Sequence, residues 1–135
     1  MAAPTDLSQI VAYDRVSLYA SAFSQTSVDI ITAASKTLDA TDVGQLQLVT
    51  ASTCTITLPA TAASLFYRIS AGDFDQTINI SPNAADKLMG GGLGAGVDDT
   101  DIILTDSRPG DYIELLADAS NGYYIVGMSG KWASA

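Results

Sequence analysis

Apolar and polar residues alternate in several short runs along this chain, and residues typical of turns separate the runs. In residues 54–58, Cys54, Ile56 and Leu58 fall on one side of an extended backbone, and two threonines fall on the other. This period of two predicts a half-buried β-strand, which ends at Pro59 because proline has no N–H for the sheet. Comparable runs occupy residues 46–48, 65–69, 78–81, 102–104, 113–115 and 123–128.

Turn-forming residues between these runs suggest how the strands connect. Pro109-Gly110 suits a type II turn, and Asn121-Gly122 is the strongest short hairpin signal in the chain. Short strands at near-regular spacing with such turns between them are typical of a sandwich or barrel. No heptad, no solenoid period and no second folded domain is visible. The sequence therefore predicts an all-β fold: an antiparallel β-sandwich or jelly-roll-like domain over residues 35–135.

Residues 1–34 have a different pattern. Their apolar positions follow helical spacing at first and strand-like alternation later, so no single element is predicted. Two interpretations stay open, an ordinary first strand of the domain and an N-terminal arm that docks on a neighbouring molecule, and we slightly favour the arm. The candidate arm contacts are Leu7, Ile10, Val11, Tyr13, Leu18 and Tyr19.

The charge balance limits the possible partners. The chain has 135 residues, a net charge of −9 and only six cationic side chains, which are scattered singly. Nucleic acid and anionic membranes both need clustered Lys and Arg, so we expect neither as a partner. No signal peptide and no apolar run of membrane-spanning length are present in the sequence, so we expect synthesis in a cytoplasm.

The residue types needed for common chemistry are scarce. The chain has no histidine and a single cysteine, Cys54, which removes Ser-His-Asp and Cys-His catalysis and thiolate or imidazole metal sites. The glycine-rich residues 90–96 lack the Gly-Lys-Ser/Thr ending of a phosphate loop, and the acids after them lack EF-hand spacing. We therefore expect no enzyme activity, no cofactor and no metal. Tyr123, Tyr124 and Trp132 are predicted core or subunit-interface aromatics rather than a sugar-stacking platform.

The order of motifs from residue 36 to residue 132 resembles a module found in tailed-phage virion proteins. The matching motifs are Thr-Ile-Thr-Leu-Pro at 55–59, an aromatic strand at 66–69, Ile-x-Ile-x-Pro at 78–82, a Gly-rich turn at 87–91, Gly-Asp-x-Ile-x-Leu at 110–115, a hairpin with an aromatic strand at 121–126 and Gly-x-Trp at 130–132. Tyr123-Tyr124 stands where the module often has Trp-Tyr, which keeps that strand aromatic. Residues 1–34 take no part in the resemblance.

This resemblance implies a small trimeric β-sandwich or jelly-roll domain of a phage particle. The first expectation is a capsid decoration (cement) protein that binds the major capsid protein on the outer surface of the head as a homotrimer. The second is a tail-fibre or head-fibre adhesin domain that binds host surface glycan. Either way, the resemblance implies a structural protein of the virion, made in the cytoplasm of the bacterial host.

Overall fold

The computed structural model describes residues 27–93 and 96–135, which form two β-sheets. Sheet A has the strand order β1-β3-β5-β9-β10-β7, and sheet B has the order β11-β8-β6-β4-β2. The strands are β1 Val28–Ile31, β2 Ser35–Thr37, β3 Leu46–Val49, β4 Thr53–Thr57, β5 Phe66–Ala71, β6 Thr77–Ser81, β7 Lys87–Gly90, β8 Ile102–Thr105, β9 Tyr112–Ala117, β10 Gly122–Ser129 and β11 Lys131–Ser134. The helical element of this part is one short 3-10 helix, Ala40–Asp42. The predicted all-β, two-sheet architecture is confirmed.

The chain passes from one sheet to the other after almost every strand. Odd-numbered strands from β1 to β9 lie in sheet A and even-numbered strands from β2 to β8 lie in sheet B. Successive strands of one sheet therefore run in the same direction at first, as in a solenoid. Residue 28 aligns with 46 and 46 with 68 in sheet A, which are steps of 18 and 22 residues. Because the steps are unequal, the sequence shows no repeat period.

The prediction of an antiparallel sandwich is wrong. Five pairs of neighbouring strands are parallel, namely β1/β3, β3/β5, β2/β4, β4/β6 and β7/β10. The remaining four pairs, which involve β8, β9 and β11, are antiparallel. Alternation along a strand shows which side chains face the core, but it carries no information on the direction of the neighbouring strand. The jelly-roll topology, which is antiparallel, is not confirmed.

Strand β1 lies inside the region predicted to be the arm. It pairs with β3 from Val28↔Leu46 to Ile31↔Val49 and is therefore the edge strand of sheet A. The sandwich thus includes residues 28–31, which precede the predicted boundary at residue 34. Residues 1–26 lie outside the described part, so an arm there stays a prediction.

Inward-facing side chains of both sheets form one hydrophobic core. The pattern predicted for residues 54–58 is confirmed, since Cys54, Ile56 and Leu58 are all buried. In sheet B, Cys54 lies beside Ile78, and Ile56 beside Ile80, so apolar side chains form continuous rows across the strands. Burial of apolar area at this density is the main force that stabilises such a fold.

A buried glutamine holds the crossings at one end of the sandwich. The Gln76 side chain donates to the carbonyl oxygens of Val49 (2.8 Å) and Ala51 (2.9 Å) and accepts from the N–H groups of Gly72 and Asp73, both at 3.1 Å. All four hydrogen-bonding positions of the amide are therefore used. Because an unpaired backbone group in the interior costs about 1–3 kcal/mol, this one side chain allows the crossings to approach the core closely.

The predicted turn at Pro109-Gly110 is present, and the predicted hairpin joins β9 to β10, but Gly122 is the first residue of β10 rather than a turn residue. Gly110 has φ +94°, and Asp111 N donates to Arg108 O at 3.0 Å, which closes the turn around Pro109 and Gly110. The hairpin between β9 and β10 has a longer loop than the Asn-Gly signal implied. In that loop the Asp118 carboxylate accepts from the N–H groups of residues 120, 121 and 122. These hydrogen bonds to the ionised form hold the pKa of Asp118 well below its usual range.

Gly122 lies where β10 approaches β7 very closely. Its φ is +142°, and a Cβ atom built on it would overlap the backbone of Lys87, lying only 2.5 Å from the Lys87 nitrogen. The parallel β7/β10 pairing starts at this point, with Gly122 beside Lys87. The pairing therefore requires glycine here.

We expect Gly122→Ala to destabilise the protein by at least about 3 kcal/mol, because β7 and β10 must separate to accommodate the methyl group. Gly110→Ala is the matched control. It also has a positive φ, but nothing lies within 4 Å of its Cβ position, so only the backbone strain of about 1–2 kcal/mol applies. Urea unfolding of both variants measures the difference. Equal losses would show that the close approach of the two strands is unimportant.

Candidate functional site

The outer face of sheet A is apolar over much of its area. One row of neighbouring side chains crosses four strands from β5 to β7 and consists of Phe66, Leu116, Tyr124 and Met89. A second row begins at the other end of the face with Ile30 and Leu48 and continues to Ser70 and Tyr112. We call these the Phe66 row and the Ile30 row.

Several of these side chains are open to solvent in the described structure. Ile30 is 60% exposed, Tyr124 44% and Leu116 41%. Val28 and Val126, on the same sheet, are also exposed. Between the two rows, Arg68 lies over the ring of Tyr112 at 4.9 Å from the ring centre, a cation–π contact. The neighbouring charged residues Arg68 and Glu114 separate the two rows, so the Phe66 row is a contiguous apolar surface by itself, and such a surface marks a site of interaction in soluble proteins.

The outer face of sheet B is polar over β2, β4 and β6, and it continues with the half-buried Ile103 on β8 and with Ala133 on β11. The outward-facing residues of β2, β4 and β6 are Ser35, Thr37, Thr53, Thr55, Thr57, Thr77, Asn79 and Ser81. The hydroxyl groups on this face hydrate readily and favour association less than apolar side chains do. The face of sheet A is therefore the candidate interaction surface.

The three aromatic residues predicted for a subunit interface lie in different environments. Tyr123 is fully buried, stacks at a tilt on Tyr67 with ring centres 6.1 Å apart, and donates to Pro59 O at 3.0 Å. Trp132 is also buried, and its Nε1 donates to the carbonyl oxygens of Tyr112 and Ser129. Of the three, Tyr124 alone presents a large exposed area, and it lies in the Phe66 row. For Tyr124 the interface role stays a prediction.

The six candidate arm residues, Leu7 to Tyr19, lie outside the described part of the chain. Most residues of the Phe66 and Ile30 rows were not predicted as site residues from the sequence. A usable sign was present, because Phe66-Tyr67, Leu88-Met89 and Leu115-Leu116 are pairs of consecutive apolar residues. Such a pair places one side chain on each face of a strand, which is typical of strands covered on both sides.

A polar cluster joins the two sheets at the edge where the chain enters. The Lys36 ammonium, on β2, contacts the Asp29 carboxylate on β1 and lies 3.1 Å from Asp42 Oδ1 and 3.0 Å from Gln47 Oε1. Asp42 belongs to the 3-10 helix, where it forms a reciprocal capping box with Asp39. A shallow depression of about 260 Å³ borders this cluster between β1 and β2. Because Lys36 already has two carboxylate partners, the cluster is suited to holding strands together.

The environments of the buried tyrosines and the cysteine keep their protons bound. Burial, with the nearby Asp42 and Asp39 carboxylates, raises the pKa of Tyr67 to about 12. Burial is also the main cause that raises the pKa of Tyr123 and of the Cys54 thiol. A catalytic nucleophile is activated by a lowered pKa, whereas the pKa of each of these three side chains is raised.

Within residues 27–93 and 96–135, no three or more Cys, Asp or Glu side chains converge to hold a metal ion. The same residues contain no helix that is long and apolar enough to cross a bilayer. Comparisons with known proteins give no further information: no family model, no curated protein and no solved structure matches this chain.

We expect Lys36→Met to destabilise the protein by about 1–3 kcal/mol, because it leaves Asp42 and Asp29 close together without their cation. The matched control is Lys131→Met. Lys131 pairs with Asp106 at 3.1 Å, but these side chains are 69% and 67% exposed, so its removal should cost under about 1 kcal/mol. Urea unfolding of both variants provides the test. A loss from Lys36→Met no larger than that from Lys131→Met would contradict a structural role for the cluster.

Proposed function

We propose that the protein is a structural protein of a tailed-phage particle, a decoration protein that binds the outer surface of the head as a homotrimer. The observation that carries this proposal is the contrast between the apolar outer face of sheet A and the hydroxyl-rich face of sheet B. A domain with one adhesive face and one hydrated face suits a protein that attaches to an assembly and leaves its other side in water.

The sequence motifs add the phage context. The residues that resemble the phage module include strands β4, β5, β6, β9 and β10, which contribute to both sheets. The motifs therefore coincide with the elements that build the core and the apolar face. This agreement supports the proposal because the resemblance involves the residues that the fold needs.

The charge of the chain is compatible with this location. A net charge of −9 opposes contact with packaged DNA, but a protein on the outer surface of a shell does not need to contact DNA. The partner would be the major capsid protein. Subunits bound across the junctions of an expanded shell stabilise that shell by mass action, since they bind it and not the unexpanded form.

The subunit contact would include the exposed edge of sheet A. Among the described residues β1 pairs only with β3, and its outward side chains, Val28 and Ile30, are both apolar and exposed. Association is a usual way to cover such an edge, and a closed trimer leaves no open edge for further growth. The N-terminal arm, whose predicted contacts are Leu7, Ile10, Val11, Tyr13, Leu18 and Tyr19, would reach the shell or a neighbouring subunit.

A fibre adhesin that binds host glycan is the alternative. Stacking on sugar rings needs exposed aromatic side chains, and the exposed Tyr124 favours it. Two of the three candidate aromatics, Tyr123 and Trp132, are buried in the core, which weakens this alternative. We therefore place the decoration protein first.

Co-sedimentation tests the proposed function directly. Purified protein is mixed with expanded, DNA-free heads assembled from the shell protein of the same genome, and its solution mass is measured in parallel. We expect saturable binding at a fixed ratio to the shell protein, and the mass of a trimer. A protein that ignores heads and binds bacterial cells instead would overturn the proposal in favour of the adhesin.

A charge on the edge strand should separate the subunits. We expect Ile30→Asp to convert the trimer to monomers at micromolar concentration while the fold is kept, because Ile30 is exposed and a carboxylate would be buried by association. Phe74→Asp is the matched control, since Phe74 is 64% exposed but lies in the loop between β5 and β6. Light scattering after gel filtration measures both masses. A trimer that survives Ile30→Asp would contradict a contact at β1.

A further inference from the structure

The Phe66 row begins on β5, two strands from the edge strand β1 at which the described chain enters sheet A. Ser27 O accepts from Leu46 N at 2.9 Å, so Ser27 lies beside the start of β3. The register pairs residue 28 with 46 and 46 with 68. Continued two residues upstream, beyond the described residues, the same alignment would bring residue 26 level with Gly44 and Phe66, and Gly44 N donates to Phe66 O at 3.4 Å. The chain upstream of Ser27 therefore starts in line with the Phe66 row.

The length of chain before Ser27 fits the width of the sheet. Six strands at about 4.8 Å spacing make a face about 24 Å wide, and an extended residue advances about 3.3 Å. Seven or eight residues, from about residue 18 or 19 to residue 26, thus suffice to cross from β1 to β7.

The composition of this stretch matches the surface beside it. Residues 16–26, with the sequence Val-Ser-Leu-Tyr-Ala-Ser-Ala-Phe-Ser-Gln-Thr, contain no charged side chain. Tyr19 and Phe23 have the same parity, so in an extended chain both point to one side. Counted back from residue 26 at the spacing above, Phe23 comes level with Phe66 and Tyr19 comes level with Tyr124 and Met89.

We propose that residues 18–26 cross the outer face of sheet A of their own chain, along the Phe66 row, with Tyr19 and Phe23 packed on Phe66, Leu116 and Tyr124. The segment is tethered directly at the edge of this face, so its effective concentration there is in the millimolar range and exceeds that of a free partner. The core described above lies between the two sheets, so a segment on the outer face of sheet A forms a third layer on the sandwich. This placement assigns Leu18 and Tyr19, two of the six candidate arm contacts, to the chain's own sheet. Val28 and Ile30 on β1 stay exposed, so the edge of sheet A remains the surface for the contacts of the proposed function.

Thiol labelling of the full-length chain tests the proposal. A Leu116→Cys reporter is introduced, and its reaction rate with a water-soluble maleimide is measured with and without Tyr19→Ser and Phe23→Ser. We expect the two serines to speed labelling about tenfold or more, because they remove the apolar contacts that cover the reporter. Cys54 does not interfere, since it is buried.

Two controls accompany this measurement. Leu7→Ser with Ile10→Ser also removes two apolar side chains, but these residues precede the crossing segment 18–26. This variant should therefore leave the labelling rate unchanged. A Phe74→Cys reporter, on a loop away from the face, should react at one rate in all backgrounds. Equal rates for Leu116→Cys with and without Tyr19→Ser and Phe23→Ser would overturn the proposal, and a rate that rises on dilution would assign the cover to a second copy instead.

A cross-link shows which chain supplies the segment. In a variant with both Tyr19→Cys and Tyr124→Cys, mild oxidation should form a disulfide within one chain. After the free thiols are blocked, the cross-linked protein should migrate as a monomer in the absence of reductant. Dimers or trimers linked by this pair would overturn crossing within the same chain and show exchange of segments between subunits. Absence of any cross-link, with both cysteines reactive, would overturn the placement of Tyr19 beside Tyr124.

Discussion

The shared core between the two sheets is the constraint on which the rest of the structure depends. Each sheet contributes rows of fully buried side chains, such as Ile56 beside Ile80 in sheet B and Ile69 beside Ile113 in sheet A. Neither sheet can leave its inner row in water, so both must form together. Because the chain adds one strand to each sheet in turn, every strand after β1 extends a core that the preceding strands have begun.

This path creates many crossings between the sheets, and the crossings must satisfy their own backbone groups. Gln76 does this at one end by bonding to three separate stretches of chain, with Ser107 Oγ accepting from its backbone N–H at 2.8 Å. At the entry edge, Lys36 connects β2 to β1, β3 and the 3-10 helix. Polar side chains therefore stabilise the crossings and the entry edge, where packing of the apolar core does not fix the path of the chain.

The difference between the two outer faces carries the functional argument. A protein that only needs to fold could cover both faces with threonine and serine, as strands β2 and β4 of sheet B do. Sheet A instead leaves Leu116 and Tyr124 exposed and Phe66 half-buried on its outer face, a type of surface that is typical of interaction sites. The proposed crossing segment would cover the Phe66 row, while Ile30 and Val28 stay available at the opposite end of the face for a second subunit. One face can in this way serve both the fold of a single chain and its assembly.

The sequence by itself determined the local features. Alternation in residues 54–58 showed that Cys54, Ile56 and Leu58 face the core, and the Pro-Gly and Asn-Gly pairs showed a turn and a hairpin, because these signals depend on neighbouring residues and on backbone geometry. Which strands become neighbours, and in which direction, was decided only by the tertiary structure. The parallel pairs β4/β6 and β7/β10 join residues that are distant in sequence, and Gly122 is required by its contact with Lys87 rather than by its own turn. For the candidate site, pairs of consecutive apolar residues such as Phe66-Tyr67 indicate apolar side chains on both faces of a strand, but the sequence does not show which member of each pair faces outward. Only the assembled sheet shows that Phe66 and Leu116 lie on the outside while Tyr67 and Leu115 fill the core.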